Sequence, residues 1–85
     1  MEHAAAGERM RHSVEDAARR LGRNPLMGRL EPTLADGRYR FWSISGFPYL
    51  LVYRHDTVPP SIVRFVHTAR DLTVVLAGLP GPDMP

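Results

Sequence analysis

The sequence predicts a small α+β fold, in which an N-terminal helix packs on a three-stranded antiparallel meander followed by a short C-terminal helix. Two observations predict it. Apolar residues recur with helical spacing in the first quarter of the chain, and three apolar segments separated by short turns follow. The strands are expected to be antiparallel because these turns are too short for a parallel crossover.

The helix is predicted over residues 8–22, ERMRHSVEDAARRLG. Its apolar face comprises Met10, Val14, Ala17, Ala18 and Leu21. Gly22 is the expected end, because the following Asn24-Pro25 cannot continue a helix.

Residues 24–38 are predicted to form a connector, since they contain two prolines and two glycines. Within it, Asp36-Gly37 is a turn signal. Four apolar side chains are expected to anchor the connector to the core: Leu26, Met27, Leu30 and Leu34.

Strands are predicted at residues 39–45, 49–55 and 61–67. In the first, Tyr39, Phe41 and Ser43 are expected on one face, with Arg40, Trp42 and Ile44 on the other. The second is almost entirely apolar, which predicts a central strand that is buried on both faces.

Strict alternation in the third strand predicts that Ile62 and Val66 face away from Val63, Phe65 and His67. A closing helix is predicted over residues 70–79. Residues 1–79 are expected to form one domain, and residues 80–85 a disordered tail.

Composition narrows the classes of function. The chain has no cysteine, which excludes disulfides and thiolate chemistry. It has neither a signal-like N-terminus nor an apolar stretch of about 20 residues, so a cytoplasmic protein without membrane contact is expected. The net charge of +2 is too small to indicate direct nucleic-acid binding. His3, His12 and His55 lack metal-ligand spacing, so no metal site or cofactor is expected.

Five segments carry a resemblance to a known family. They are Asn24–Arg29 (NPLMGR), Arg38–Arg40 (RYR), Tyr49–Arg54 (YLLVYR), Ile62–His67 (IVRFVH) and Ala69–Leu72 (ARDL). In this order and spacing, the chain resembles ParE-like toxins of the RelE/ParE type II toxin–antitoxin superfamily, also called plasmid stabilisation proteins. Each piece is weak alone, but the ordered set is fairly specific.

The resemblance implies a toxin that a small antitoxin wraps and holds inactive. ParE-type members are associated with poisoning of DNA gyrase, whereas RelE-type members cut mRNA in the ribosomal A site. The implied partners are therefore a cognate antitoxin and DNA gyrase, with DNA contacted only through the antitoxin. A homodimer or a toxin–antitoxin complex is expected.

Family members usually begin with a strand and a first helix, whereas about seven residues precede the helix predicted here. The resemblance therefore implies an N-terminally shortened RelE/ParE-like fold. A misassigned start, a truncated chain and a remnant gene remain open explanations. An inactive member that still binds antitoxin is one alternative for the function, and a RelE-like ribosome-dependent mRNA endonuclease is the other.

RNA cleavage needs a base, an acid and cations that stabilise the phosphorane charge. RelE-type toxins use Lys and Arg residues for much of this work, but the chain has no lysine. By resemblance, Leu50 stands where the middle strand would carry a catalytic Arg. The remaining catalytic candidates are His67, Arg70 and Arg64, so binding without catalysis is favoured.

The same corner has a structural interpretation. A ring nitrogen of His67 can bind a backbone group of the following turn, or Asp71. Asp71 stands where a carboxylate caps the first turn of the closing helix.

A surface for protein binding is the favoured functional interpretation. Arg40, Arg54 and Arg64 would form a small cationic patch if they share one face of the sheet, and this patch would suit an acidic antitoxin segment or the target. An exposed aromatic residue could anchor such an interface. The predicted partner-binding residues are Arg40, Trp42, Arg54, Arg64 and Arg70.

Overall fold

A computed structural model describes the backbone of residues 2–79 and the side chains of residues 7–79. Its elements confirm the predicted α+β fold: α1 (Glu2–Arg23), β1 (Tyr39–Ser43), β2 (Tyr49–Arg54), β3 (Ser61–His67) and α2 (Leu72–Leu76). The predicted tail at residues 80–85 lies outside the described residues.

Helix α1 is longer than predicted, since it begins at Glu2 and ends at Arg23. Periodicity could not reveal its first turns because they contain three consecutive alanines, which are strong helix formers but mark no face. Ala17 and Leu21 are buried against the sheet, as their spacing predicts.

The sheet has the order β1-β2-β3, and both pairings are antiparallel. Its central strand is buried from Leu50 to Tyr53, which confirms the prediction from the apolar run. β1 and β2 end one or two residues earlier than predicted, at Ser43 and Arg54. The turn after β1 contains Gly46 at a φ of 81°, a conformation that glycine adopts without steric cost.

The register of β3 changes along its length. Tyr53 pairs with Ile62 but Val52 pairs with Arg64, so Val63 is an extra residue in a β-bulge. The bulge reverses the alternation, and Ile62 therefore lies on the same face as Phe65. The prediction that Ile62 shares a face with Val66 is wrong, because strict alternation assumes a regular strand.

Each face of the sheet has its own apolar core. The core beneath α1 contains Ala17, Leu21, Ile44, Leu51 and Tyr53. The opposite core, closed by α2, contains Tyr39, Phe41, Leu50, Val52, Val66 and Leu76. The alternation predicted for β1 is confirmed, since Tyr39 and Phe41 lie in one core while Ile44 lies in the other.

The connector between α1 and β1 contacts the core through only some of its predicted anchors. Met27 and Leu34 pack against the two cores. Leu26 and Leu30 are 60% and 45% exposed, so the prediction is wrong for both. Backbone and phenol hydrogen bonds fix this part of the connector, and the sequence pattern does not display them.

Helix α2 is shorter than the predicted 70–79 because its N-cap is Asp71. The carboxylate Oδ1 of Asp71 accepts a hydrogen bond from the Thr73 N–H at 3.1 Å, which confirms the predicted capping role. Leu76 turns into the core, whereas Val74 remains 69% exposed.

Candidate interaction surface

The ring of His67 is fixed at the end of β3. Its Nδ1 accepts a hydrogen bond from the Ala69 N–H at 3.0 Å, and the ring meets Tyr49 edge-on at 5.0 Å. Because Nδ1 is the acceptor, the neutral ring carries its proton on Nε2. This geometry is the strand-end arrangement expected from the sequence.

The three candidates for RNA cleavage do not share one face of the sheet. Arg64 pairs with Val52, whereas His67 pairs with Tyr49, which places the two side chains on opposite faces. Arg70 is exposed beyond the strand end. Any catalytic role of these residues stays a prediction.

The cationic patch proposed from the sequence is divided by the same register. Arg40 pairs with Tyr53, so it lies on the α1 side of the sheet. Arg54 pairs with Tyr39, so it lies on the other side, as does Arg64. The condition for one three-arginine patch is therefore not met, although each residue's role in partner binding stays a prediction.

Arg40 is bound to the connector. Its Nη1 donates to the Gly28 carbonyl at 2.8 Å and to the Leu26 carbonyl at 3.4 Å. Its Nε is buried without a hydrogen-bond partner among the described residues. Trp42, on the same side of the sheet, is half-buried against the core beneath α1. Both residues thus contribute to the fold of this side.

Arg54 belongs to a charged cluster on the other face of the sheet. It donates two hydrogen bonds to the Asp56 carboxylate, at 2.9 and 2.7 Å, and these hold the pKa of Asp56 below its usual value. Arg38 and Asp36 form a second pair nearby, which lowers the pKa of Asp36 for the same reason. This cluster holds the predicted Asp36-Gly37 turn in place.

Tyr53 joins the connector to the sheet, a role that strand patterning does not predict. Its hydroxyl donates to the Pro25 carbonyl at 2.6 Å and accepts the Gly28 N–H at 2.9 Å. Burial raises the pKa of the phenol. A Cβ on Gly28 would lie 2.6 Å from the Tyr53 hydroxyl and 2.9 Å from the Phe41 carbonyl oxygen. The NPxxG segment and the tyrosine of LVYR are therefore parts of one contact.

An exposed apolar surface also escaped the sequence analysis. Ile62 and Phe65 on β3 are 46% and 42% exposed. With Met10, Val14 and Leu51 they line a shallow groove of about 310 Å³ between α1 and β3. Only the bulge brings Ile62 to this side, so simple alternation could not have identified the groove.

Neither a metal-binding cluster nor a membrane-spanning helix occurs in the described part of the chain. Residues 2–79 contain no cluster of three or more histidine, aspartate or glutamate side chains that could hold a metal ion. No helix within this range is long and apolar enough to cross a membrane.

The chain matches the model of a known protein family. The family described as "ParE toxin of type II toxin-antitoxin system, parDE" matches residues 2–72. No curated protein and no solved structure gave a significant match. The matched region contains α1, the connector, all three strands and the Arg70-Asp71 corner. On this match over most of its length, the chain belongs to the ParE family of type II toxin–antitoxin toxins.

Proposed function

We propose that this toxin arrests growth in the cytoplasm by binding a protein target, DNA gyrase by resemblance, and that a cognate antitoxin neutralises it by direct contact. The family match over residues 2–72 carries this proposal, because it identifies the chain as the toxin of a toxin–antitoxin pair. DNA would be contacted only through the antitoxin. The contacts and the exposure of the described side chains support binding and indicate which residues would contact the partner.

The geometry supports binding rather than RNA cleavage. His67 uses one ring nitrogen in a backbone hydrogen bond, and Arg64 lies on the opposite face of the sheet. Leu50, the residue aligned by resemblance with a catalytic arginine, is buried in the core. Of the two candidate cations, Arg64 thus lies away from the proposed acid or base, and only Arg70 follows His67 in the same turn.

Two of the predicted partner-binding residues have guanidinium groups that are available to a partner. Arg64 and Arg70 are both exposed, and neither forms an ion pair within residues 7–79. Arg40 is bound to backbone carbonyls and Arg54 to Asp56, so these two would have to exchange existing contacts. Partner binding is therefore assigned first to Arg64 and Arg70.

Tight, inducible expression of the 85-residue chain in a bacterium that lacks the antitoxin tests this function. Growth arrest is expected, accompanied by loss of plasmid supercoiling and by intact mRNA. Arrest with mRNA cleavage that disappears in His67→Ala would instead establish the RelE-like endonuclease. Normal growth with soluble, folded protein would contradict the proposed toxicity and leave the inactive, antitoxin-binding member.

A further inference from the structure

The turn that leads into β1 contains the dipeptide Asp36-Gly37, in which a carboxyl group stands beside an unhindered backbone nitrogen. Because glycine has no Cβ, nothing shields this nitrogen from the neighbouring side chain. Gly37 is exposed, and apart from its chain neighbours no heavy atom lies within 4 Å of the position of an added Cβ. Its N–H forms no hydrogen bond within residues 7–79. The other aspartates of the chain are followed by bulkier residues, namely Ala17, Thr57, Leu72 and Met84.

Arg38 engages both oxygens of the Asp36 carboxylate. Oδ1 accepts hydrogen bonds from the Arg38 N–H at 2.9 Å and from its Nε at 3.2 Å, and Oδ2 accepts one from Nη2 at 3.1 Å. These bonds hold the pKa of Asp36 below its usual value, so the carboxyl group is ionised at neutral pH. The side chain of Asp36 is 26% exposed, and water therefore reaches it.

An aspartate followed by glycine has a route to rearrange its own backbone in water. The Gly37 nitrogen attacks Cγ of the protonated Asp36 carboxyl group. A bond forms between nitrogen and Cγ, and the amide proton and the carboxyl hydroxyl leave together as one water molecule, which closes a five-membered succinimide. Water then adds to one of the two ring carbonyls and breaks its bond to nitrogen. Opening at Cγ restores aspartate, whereas opening at the α-carbonyl leaves isoaspartate, with the main chain running through the side chain of Asp36.

We propose that Asp36-Gly37 is a site of isoaspartate formation, and that Arg38 suppresses the reaction in the folded chain. To react, the carboxyl group must leave the guanidinium, gain a proton and turn towards the Gly37 nitrogen. The paired hydrogen bonds from Arg38 oppose each of these changes, because bonds between two charged groups are among the strongest in proteins. The unfolded chain lacks this pair, so the site reacts there. This chemistry does not depend on the function proposed above.

The product would disturb the entry of the chain into β1. The Asp36 carbonyl accepts the Tyr39 N–H at 3.1 Å, which closes the turn. Tyr39 is buried in the core closed by α2. Isoaspartate adds one methylene to the main chain and removes this carbonyl from it, so the turn bond is lost next to a core residue. We therefore expect the modified chain to unfold at a lower urea concentration than the unmodified chain.

Ageing of the purified 85-residue chain at neutral pH tests the proposal. Samples kept in native buffer and in concentrated urea are digested with trypsin, which releases Asp36 in a peptide of residues 30–38. Chromatography separates the two isomers of equal mass, electron-transfer fragmentation locates isoaspartate, and the succinimide is lighter by one water. Isoaspartate is expected at Asp36 before any other aspartate. It should form at least about tenfold faster in urea, the factor that one hydrogen bond to a charged group is worth.

Three variants assign the protection to Arg38. In native buffer R38Q should accelerate the reaction at Asp36 by about tenfold, since it removes the guanidinium bonds. R20Q breaks an exposed ion pair of the same kind, between Arg20 and Asp16 on α1, and should change the rate at Asp36 by less than about twofold. Gly37→Ala adds a Cβ in open space, so it should fold normally and lose most of the reaction, both in urea and when combined with R38Q.

Urea unfolding of each variant shows whether it is folded in the native buffer. If R38Q is unfolded there, the unaltered chain in buffer and in urea decides the matter together with Gly37→Ala. Equal rates in buffer and urea would overturn the proposal. So would a folded R38Q that reacts no faster than R20Q, isoaspartate spread evenly over all aspartates in urea, or an undiminished reaction in Gly37→Ala.

Discussion

Substitution of Gly28 by alanine tests how the connector is attached to the sheet. An added Cβ would lie 2.6 and 2.8 Å from the hydroxyl and Cε1 of Tyr53, and 2.9 Å from the Phe41 carbonyl oxygen. The phenol can move away only by giving up its bonds to Gly28 and Pro25. The Phe41 carbonyl is held in turn by the Arg29 N–H, so the backbone has little freedom to retreat.

The expected cost of Gly28→Ala is about 3–5 kcal/mol in the free energy of unfolding. Overpacking a well-packed site costs about 1–3 kcal/mol. Each lost hydrogen bond of the Tyr53 hydroxyl adds about 1 kcal/mol. A chain of this length has a total stability of about 4–13 kcal/mol, so the variant would lose a large part of it.

Urea unfolding, followed by far-ultraviolet circular dichroism and the fluorescence of Trp42, measures this cost. With an m-value of about 1 kcal/mol/M, the midpoint should fall by about 3 M or more. Gly22→Ala is the matched control, because no atom lies within 4 Å of its Cβ position and Gly22 is helical. It should stabilise the chain by up to about 1 kcal/mol.

The reasoning would be refuted if Gly28→Ala unfolded within about 0.5 kcal/mol of the unaltered chain, a difference typical of neutral surface substitutions. The double variant with Tyr53→Phe gives a second check. Since both changes act on one contact, their combined cost should be smaller than the sum of the separate costs. Strict additivity would show that Gly28 and Tyr53 are independent.

Three further outcomes are expected. Asp71→Ala removes the N-cap of α2 and should lower the free energy of unfolding by about 1 kcal/mol in the same urea assay; an unchanged midpoint would show that the cap is unimportant. Hydrogen bonds from Arg38 hold the pKa of Asp36 below 3.8, so their stabilisation is complete above that pH and is lost as pH falls through the lower folded-state pKa. The melting temperature of the Asp36→Asn variant should therefore fall less steeply than that of the unaltered chain as the pH is lowered from about 5 to 2. An equally steep fall would show that other groups cause the loss of stability in acid. Finally, cells that express a folded His67→Ala variant should still stop growing. If the unaltered chain cleaves mRNA and the variant loses both cleavage and growth arrest, His67 is catalytic.

The order and type of the elements could be predicted because the sequence switches clearly from helical to strand periodicity. The run Tyr49–Arg54 identified the central strand, and the capping role of Asp71 was predicted correctly, although the closing helix begins at Leu72 and not at the predicted residue 70. Both features depend only on the types of residue at a few neighbouring positions, so they can be predicted from the sequence. The bounds of β3 were predicted correctly for the same reason, since turn residues flank it on both sides.

The candidate interaction surface could be predicted only in part, because its composition depends on the register of the strands. One extra residue at Val63 moves Ile62 to the groove, and no local pattern marks such a bulge. The separation of Arg40 from Arg54 follows from alternation, but the attachment of Arg40 to the connector is a tertiary contact. The exposure of Leu26 and Leu30 likewise depends on the path that Tyr53 imposes on the connector.

Inhibition of purified DNA gyrase tests the proposed mechanism most directly. Relaxed plasmid, ATP and gyrase are combined with increasing amounts of the folded 85-residue chain, and ribosome-bound mRNA is incubated with the same preparation. Binding without catalysis predicts that supercoiling is lost as the chain is added while the mRNA stays intact. Full supercoiling at saturating chain, together with cleaved mRNA, would contradict it and establish an endonuclease.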